Sequence, residues 1–453
     1  MAVAGVVGAG TTAQASTWTP AGGGSWATGA NWDTDPTIPN AIGATADFPT
    51  PTATRTVTID SGAGGFLVGA VTFTQDSSNT TIDNTFNIGA SGSVLNLDAS
   101  GSGPATITQN GTGLRKTAFG SRTAFIDDVV ANVNQLQSTS STGPLEWTGI
   151  VVTSPGGFTK AGDGLMTWSS NTKAYTGATL VSAGRLRLVN TGRPTATSSF
   201  TINGGQLTLT NAGPYILGAS AAVPLNLNGS GAASGPFAAF AGAIRNDTDL
   251  ATTINNDIVI QSSSLIHVEG AASGSTTLAG VISGASGASL RLTAPGASAN
   301  QGQLVLTNDN TYAGGTLVAG GMLLVSGNGD LGTGNVTVDN STSSSSTARL
   351  RIAADATDAI DDTATLTLLG GGSAGVADQN FADLLYAGTD TIGGLVLGGV
   401  PQTLPGTYGS TASGAAHPFD EYFSGPGTVT LVPEPTSLAL LGLGSLALVR
   451  RRR

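Results

Sequence analysis

The chain has 453 residues, of which 67 are glycine, and only 10% are charged: 28 acidic and 17 basic residues, for a net charge of −11. Its only glutamates are Glu146, Glu269, Glu421 and Glu434 and its only lysines Lys116, Lys160 and Lys173. So few straight-chain charged residues exclude a fold rich in solvated helices, the acidic balance argues against nucleic acid as a partner, and the absence of cysteine excludes disulfides and thiol chemistry.

At the start, an apolar, small-residue stretch leads to Ala13 and Ala15, an A-x-A pattern of the kind that precedes signal-peptide cleavage. Residues 1–15 are therefore expected to be a signal-peptide-like segment, truncated because no basic residue precedes the apolar stretch. Residues 16–115 follow as an N-terminal β region. Trp26 and Trp32 lie near its beginning, and their bulk suits a cap over the first coil of a stacked structure.

From residue 116 onward, four- and five-residue runs alternate apolar and small polar side chains, as in Gln206-Leu-Thr-Leu209, Ser289-Leu-Arg-Leu292 and Asn335-Val-Thr-Val338. Period-two alternation with Gly or Asn between the runs predicts short strands with tight corners. One such coil cannot bury its inward Leu, Val and Ile alone, whereas a stack of coils forms one continuous core. The expected fold class is all-β, a parallel β-helix or solenoid, with a chain of β-sandwich domains as the rival. The expected divisions are 116–345 for the helix, 346–431 for C-terminal β coils and 432–453 for a terminal signal.

Two segments align without gaps at an offset of 137 positions: Tyr175, Gly177, Thr179 and Gly184 fall on Tyr312, Gly314, Thr316 and Gly321. Together with Gly157-Phe-Thr-Lys160-Ala-Gly162-Asp-Gly164 and Asn308-Asp-Asn310, these positions resemble the passenger-associated β-strand repeat of autotransporters, at about 157–190 and 300–326. The resemblance implies a right-handed β-helix. It does not imply an autotransporter, because no long terminal series of membrane-barrel strands follows.

Residues able to carry chemistry are few. Asp127-Asp128 and Asp361-Asp362 are paired carboxylates, but neither pair has a carboxylate at i, i+2, so each reads as a turn. His267 and His417 stand alone, and zinc there would need remote carboxylates. Gly327-Asn-Gly329-Asp330-Leu331 is a single copy of a calcium-loop pattern that needs tandem copies. Trp147 and Trp168 could stack on sugar rings, with packing the plainer reading. No cofactor, no metal and no catalytic residue is expected. The serine-rich run at 341–347 reads as a loop at a coil corner.

The C-terminus has three parts: Val432-Pro433-Glu434-Pro435, an apolar run from Leu438 to Val449, and the basic tail Arg450, Arg451, Arg452 and Arg453. The run is shorter than the roughly 20 residues of a free-standing membrane helix, and the arginines favour the cytoplasmic side. This ending resembles the PEP-CTERM sorting signal. The resemblance implies processing by exosortase at the motif, export through a secretion translocon, and a transient inner-membrane anchor formed by a short hydrophobic helix. The expected protein is an exported, non-enzymatic structural component of the cell surface or outer envelope, or of the extracellular polysaccharide matrix. The alternative is a glycan-binding adhesin or polysaccharide-processing enzyme on the same scaffold. Loss of the tail with Glu434 leaves 27 acidic and 13 basic residues, a net of −14.

Overall fold

A computed structural model describes residues 15–432, apart from internal segments at 61–64, 77–83, 89–92, 100–102, 114–115, 137–142, 233–241, 269–273, 295–301, 340–347 and 370–380 and single positions at 190, 212, 247, 249 and 357. Residues 1–14 of the signal-like segment 1–15, the serine-rich run and the sorting signal from Pro433 onward lie outside the described residues; Ala15 opens the strand Ala15–Thr17. The described chain is all-β, with short parallel strands in long sheets and no α-helix. The architecture is a parallel β-helix. It divides into two compact units, one of residues 1–211 and 216–245 and the other of residues 212–215 and 246–453.

In the first unit, successive coils lay their strands side by side in register. One sheet runs through Thr45–Phe48, Ala70–Thr74, Ala105–Asn110, Val129–Val133, Phe158–Ala161, Thr179–Val181, Phe200–Asn203 and Leu225–Asn228, all paired parallel. Each strand buries every second side chain, as the period of two requires. The interior of this unit is aromatic. Trp18, Trp26, Trp32 and Phe48 form a cluster at the first coils with ring centroids 5.0–5.7 Å apart. Further along, Phe119, Trp147, Phe158, Trp168 and Tyr175 continue the packing, with Phe158 and Trp168 at 4.7 Å. Edge-on and tilted ring pairs of this kind add to the gain from burial itself.

The inward columns of the second unit are mainly aliphatic. Ile254, Leu278, Leu306, Val325, Ile352 and Leu384 stand in one column across six coils, each opposite the next in the parallel register, and all are buried. A second column runs Leu292, Val318, Val338, Leu368 and Leu397. Stacking like on like keeps each coil's inward volume close to that of its neighbours, as dense packing requires.

Near its C-terminal end this unit changes pattern. Val400–Pro401 folds back antiparallel on Gly394–Leu397, and Gly406–Gly409 pairs antiparallel with Thr428–Leu431. A two-residue strand containing proline offers little to a further strand, so it blunts the open edge of the sheet.

Candidate functional site

The repeat positions are built into the corners. Tyr175 is fully buried and its hydroxyl shares a 2.6 Å hydrogen bond with the Thr179 hydroxyl. In the second unit Tyr312 does the same with Thr316 at 2.5 Å. The four-residue spacing carries the chain around a corner, so the phenol reaches back to the first residue of the next strand. Burial pushes both phenols above their ordinary range, against the threonine bond that lowers them; both are neutral and act as hydrogen-bonding struts. Thr179 also donates to Thr197 at 2.9 Å, and Thr197 donates to the Gly177 carbonyl at 2.7 Å. Tyr312→Phe is expected to cost about 1–2 kcal/mol and Tyr175→Phe less, because Thr179 keeps its bond to Thr197; denaturation midpoints of the two variants measure the difference.

The glycines of the motif serve two needs. Gly184 and Gly321 adopt φ of 58° and 78°, a region that side chains disfavour. Gly177 and Gly314 instead lie against backbone: a Cβ would stand 2.4 Å from the Gly157 nitrogen in the first case and 2.0 Å from the Ala288 oxygen in the second.

Two lysines of the first unit lie inside it. Lys160 is fully buried and donates to the carbonyls of Ala161, Gly162 and Ala183 at 2.8, 2.7 and 3.2 Å. Lys173 is fully buried and donates to the Asn171 carbonyl at 2.6 Å. Burial pushes both amines down to about 7, opposed at Lys160 by the Asp163 carboxylate. Lys116 meets Glu146 at 2.5 Å, and Ser169 donates to the other Glu146 oxygen at 2.8 Å.

Residues singled out as possible chemistry have structural partners. Asp127 accepts from the Ala99 N–H and Asp128 from the Gly157 N–H, each fastening one coil to another. His267 is buried within Ser264–Val268, and His417 packs on Tyr408 with ring centroids 4.7 Å apart. Trp147 and Trp168 are fully buried, so neither face is open to a sugar.

The second unit holds a feature the linear sequence did not reveal. Asp309, Asp330 and Asp358 line two adjoining open hollows of about 300 and 430 Å3, the first also walled by Asp361 and Asp362. Asp361 caps its own turn by accepting from the Thr363 N–H and hydroxyl, as expected for that pair, but Asp309 and Asp330 arrive from earlier coils. Asp330 accepts from the backbone of Asn310 and Gly332 at 3.0 and 2.8 Å. Burial pushes Asp330 up to about 6, and a hydrogen bond with the Asp309 carboxyl works in the same direction. Nearby, buried Asp390 accepts from the N–H groups of Ala359 and Ile360, both at 3.1 Å. Its carboxyl is pushed up to about 7 by burial and further by Asp358 and Asp362. Among the described residues no group of three or more His, Cys, Asp or Glu is arranged to hold a metal ion. Spacing along the chain could not expose this hollow, since its walls are about 20–30 residues apart and meet only because the coils stack.

Because the Asp390 carboxyl is raised above its ordinary 3.8, its contribution to the second unit is present in acid and is lost as the pH rises through about 7. Asp390→Asn is expected to remove that slope, on the order of 4 kcal/mol between pH 4 and 8. Hydrogen exchange in Thr389–Ile392 and Thr428–Leu431 at the two pH values measures it.

The chain leaves the described structure at Val432, half exposed just after the strand Thr428–Leu431. Residues 431–453 match the family described as the PEP-CTERM protein-sorting motif, and residues 158–188 and 300–325 match the passenger-associated-transport-repeat. No curated protein and no solved structure matches the chain. Each repeat match covers one of the tyrosine corners, and the sorting match begins at the last residue of the last strand. The sorting motif implies processing by exosortase. Among the described residues no helix is long and apolar enough to cross a membrane; the apolar run from Leu438 to Val449 lies outside them. With passenger-associated-transport repeats in its β-helix and a PEP-CTERM sorting signal after it, the chain is an exported surface protein.

Proposed function

We propose that the protein is a non-enzymatic structural component of the cell surface or extracellular polysaccharide matrix. In this reading a secretion translocon exports it, residues 438–449 anchor it transiently in the inner membrane, and exosortase cuts at Val432, Pro433, Glu434 and Pro435. The observation that carries the reading is the position of the sorting match, directly after the last β-helix strand: the cut separates a finished β-structure from the apolar run and basic tail. The use made of polar groups supports it, since buried tyrosines bond to threonine hydroxyls, and buried lysines and corner aspartates to backbone, within the coils. Mass spectrometry of the protein recovered from the matrix fraction tests the reading. The expected C-terminus lies near Pro433, and recovery of exported protein that still carries Arg453 overturns it.

A second reading, glycan processing, draws support from the Asp309–Asp330 pair, in which burial raises the Asp330 carboxyl to about 6 within a hollow lined by further aspartates. Glycoside cleavage uses two carboxyl groups, one of them with a raised pKa. Incubation with a panel of neutral and acidic polysaccharides decides between the two readings. Turnover that disappears in Asp330→Asn favours the enzyme, and no turnover with any polymer favours the structural role.

A further inference from the structure

The sheet of the first unit that runs through Thr45–Phe48 presents an outer face unlike the rest of the unit. Two columns of half-exposed side chains run across its coils. One passes through Thr45, Ala70, Thr106, Val130, Thr159, Leu180, Thr201 and Asn226, and the other through Asp47, Thr72, Thr108, Asn132 and Ala161, each residue opposite the next in the parallel register. Asn203 and Asn228 add a further rung. Neighbouring coils are about 4.8 Å apart, and the two columns are separated by two strand residues, about 6.6 Å. Apart from Asp47 at one end, the columns therefore form a grid of hydroxyls, amides and small apolar groups.

Charge sets this face apart. Asp47 is the only ionisable residue among the outward positions of these strands, because Lys160, which also lies on one of them, points inward. Asn228 donates to Asn203 at 3.2 Å, and Asn226 donates to the Thr201 hydroxyl at 3.4 Å. Bonds along a column hold the side chains in line. An amide offers two donors and an acceptor with two lone pairs, more than one such bond uses.

Resting on the matrix reading above, we propose that this face binds an uncharged polysaccharide laid across the coils. A pyranose unit advances a glycan by a distance comparable to one coil step, so successive sugars meet equivalent Thr and Asn positions. Sugar hydroxyls match side chains that both donate and accept, and Ala70, Val130 and Leu180 offer apolar contact to ring C–H groups. An anionic polymer finds no cation here and meets a protein of net charge −14 after loss of the tail. A protein partner would want the aromatic and arginine anchors of an interface centre, and the face has none.

The test is affinity electrophoresis of the full exported protein in gels containing hydroxyethylcellulose or alginate. The expected result is retardation by the neutral polymer alone, weakened about tenfold or more in Thr108→Lys/Asn132→Lys and kept in Thr108→Ser/Asn132→Gln. Thr56→Lys, exposed on another sheet of the same unit, is expected to leave retardation unchanged. Absence of retardation, stronger retardation by alginate, or equal loss from Thr56→Lys overturns the proposal. So does inhibition of ice recrystallisation without glycan retardation, which would assign the grid to an ice plane. Fractionation of cells carrying the same variants separates this proposal from the reading it rests on. Matrix-retained protein that no neutral polymer retards defeats the grid alone, and retarded protein absent from the matrix defeats the matrix role alone.

Discussion

Gly314→Ala is expected to open the repeat around it, at a cost of roughly 4 kcal/mol or more. The added Cβ would stand 2.0 Å from the Ala288 oxygen and 2.1 Å from its carbonyl carbon. Both atoms are backbone, held by the turn bond from the Ala288 N–H to Ala285 and by the ladder bond from the Leu290 N–H to Gly315. Relief requires two coils to separate, and separation loses hydrogen bonds and core contact together. Gly399→Ala supplies the contrast: its φ is +83° but nothing lies within 4 Å of the added carbon, so only the left-handed backbone penalty of about 1–2 kcal/mol applies. Solenoids open locally, so the measurement is hydrogen exchange in Leu290–Thr293 and Thr316–Val318. Equal protection in the two variants would falsify the packing role of Gly314. Gly177, with the Gly157 nitrogen 2.4 Å from its added carbon, is expected to behave as Gly314 does.

The first unit is expected to become more stable as the pH rises from 7 to 9.5. Lys160 and Lys173 are held down to about 7 in the folded chain against an ordinary 10.5. Between those values the unfolded chain binds more protons than the folded one, so stability rises with pH. Each lysine contributes about 3 kcal/mol over this range. Above about 10.5 the lysine contribution levels off, because the unfolded amines lose their protons as well. All five tryptophans belong to the first unit, so tryptophan fluorescence in guanidinium follows this unit alone. Lys160→Met and Lys173→Met are each expected to remove about half of the rise. A midpoint independent of pH in the parent protein rules out the account. The slope is opposite in sign to that expected of Asp390 in the second unit, since burial lowers an amine and raises a carboxyl.

Much of the fold was legible in the residues. Short runs such as Gln206-Leu-Thr-Leu209 announce a strand by alternation, and the shared Tyr, Gly and Thr positions of the two repeats mark equivalent corners. The corner chemistry was only partly legible. A tyrosine four residues before a threonine shows its strut role only when the chain turns between them. The burial of Lys160 and Lys173 was not legible, because nothing in their neighbours' identities tells that the coil turns them inward. Asp361-Asp362 stands in a turn, as its spacing predicts, but the pair is isolated only along the chain: Asp309 and Asp330 stand beside it in space.

By itself the sequence determined the class of structure and the destination of the protein. Alternation and glycine spacing are local properties that favour short strands and tight corners, and a sorting signal is read by other proteins as a linear stretch. The tertiary structure decided what lies beside what. Register between coils sets the aliphatic column of the second unit, the carboxylate hollow and the uncharged grid of the first unit. Each of these joins residues some 20–30 positions apart, and such neighbours exist only once every coil has stacked on the one before it.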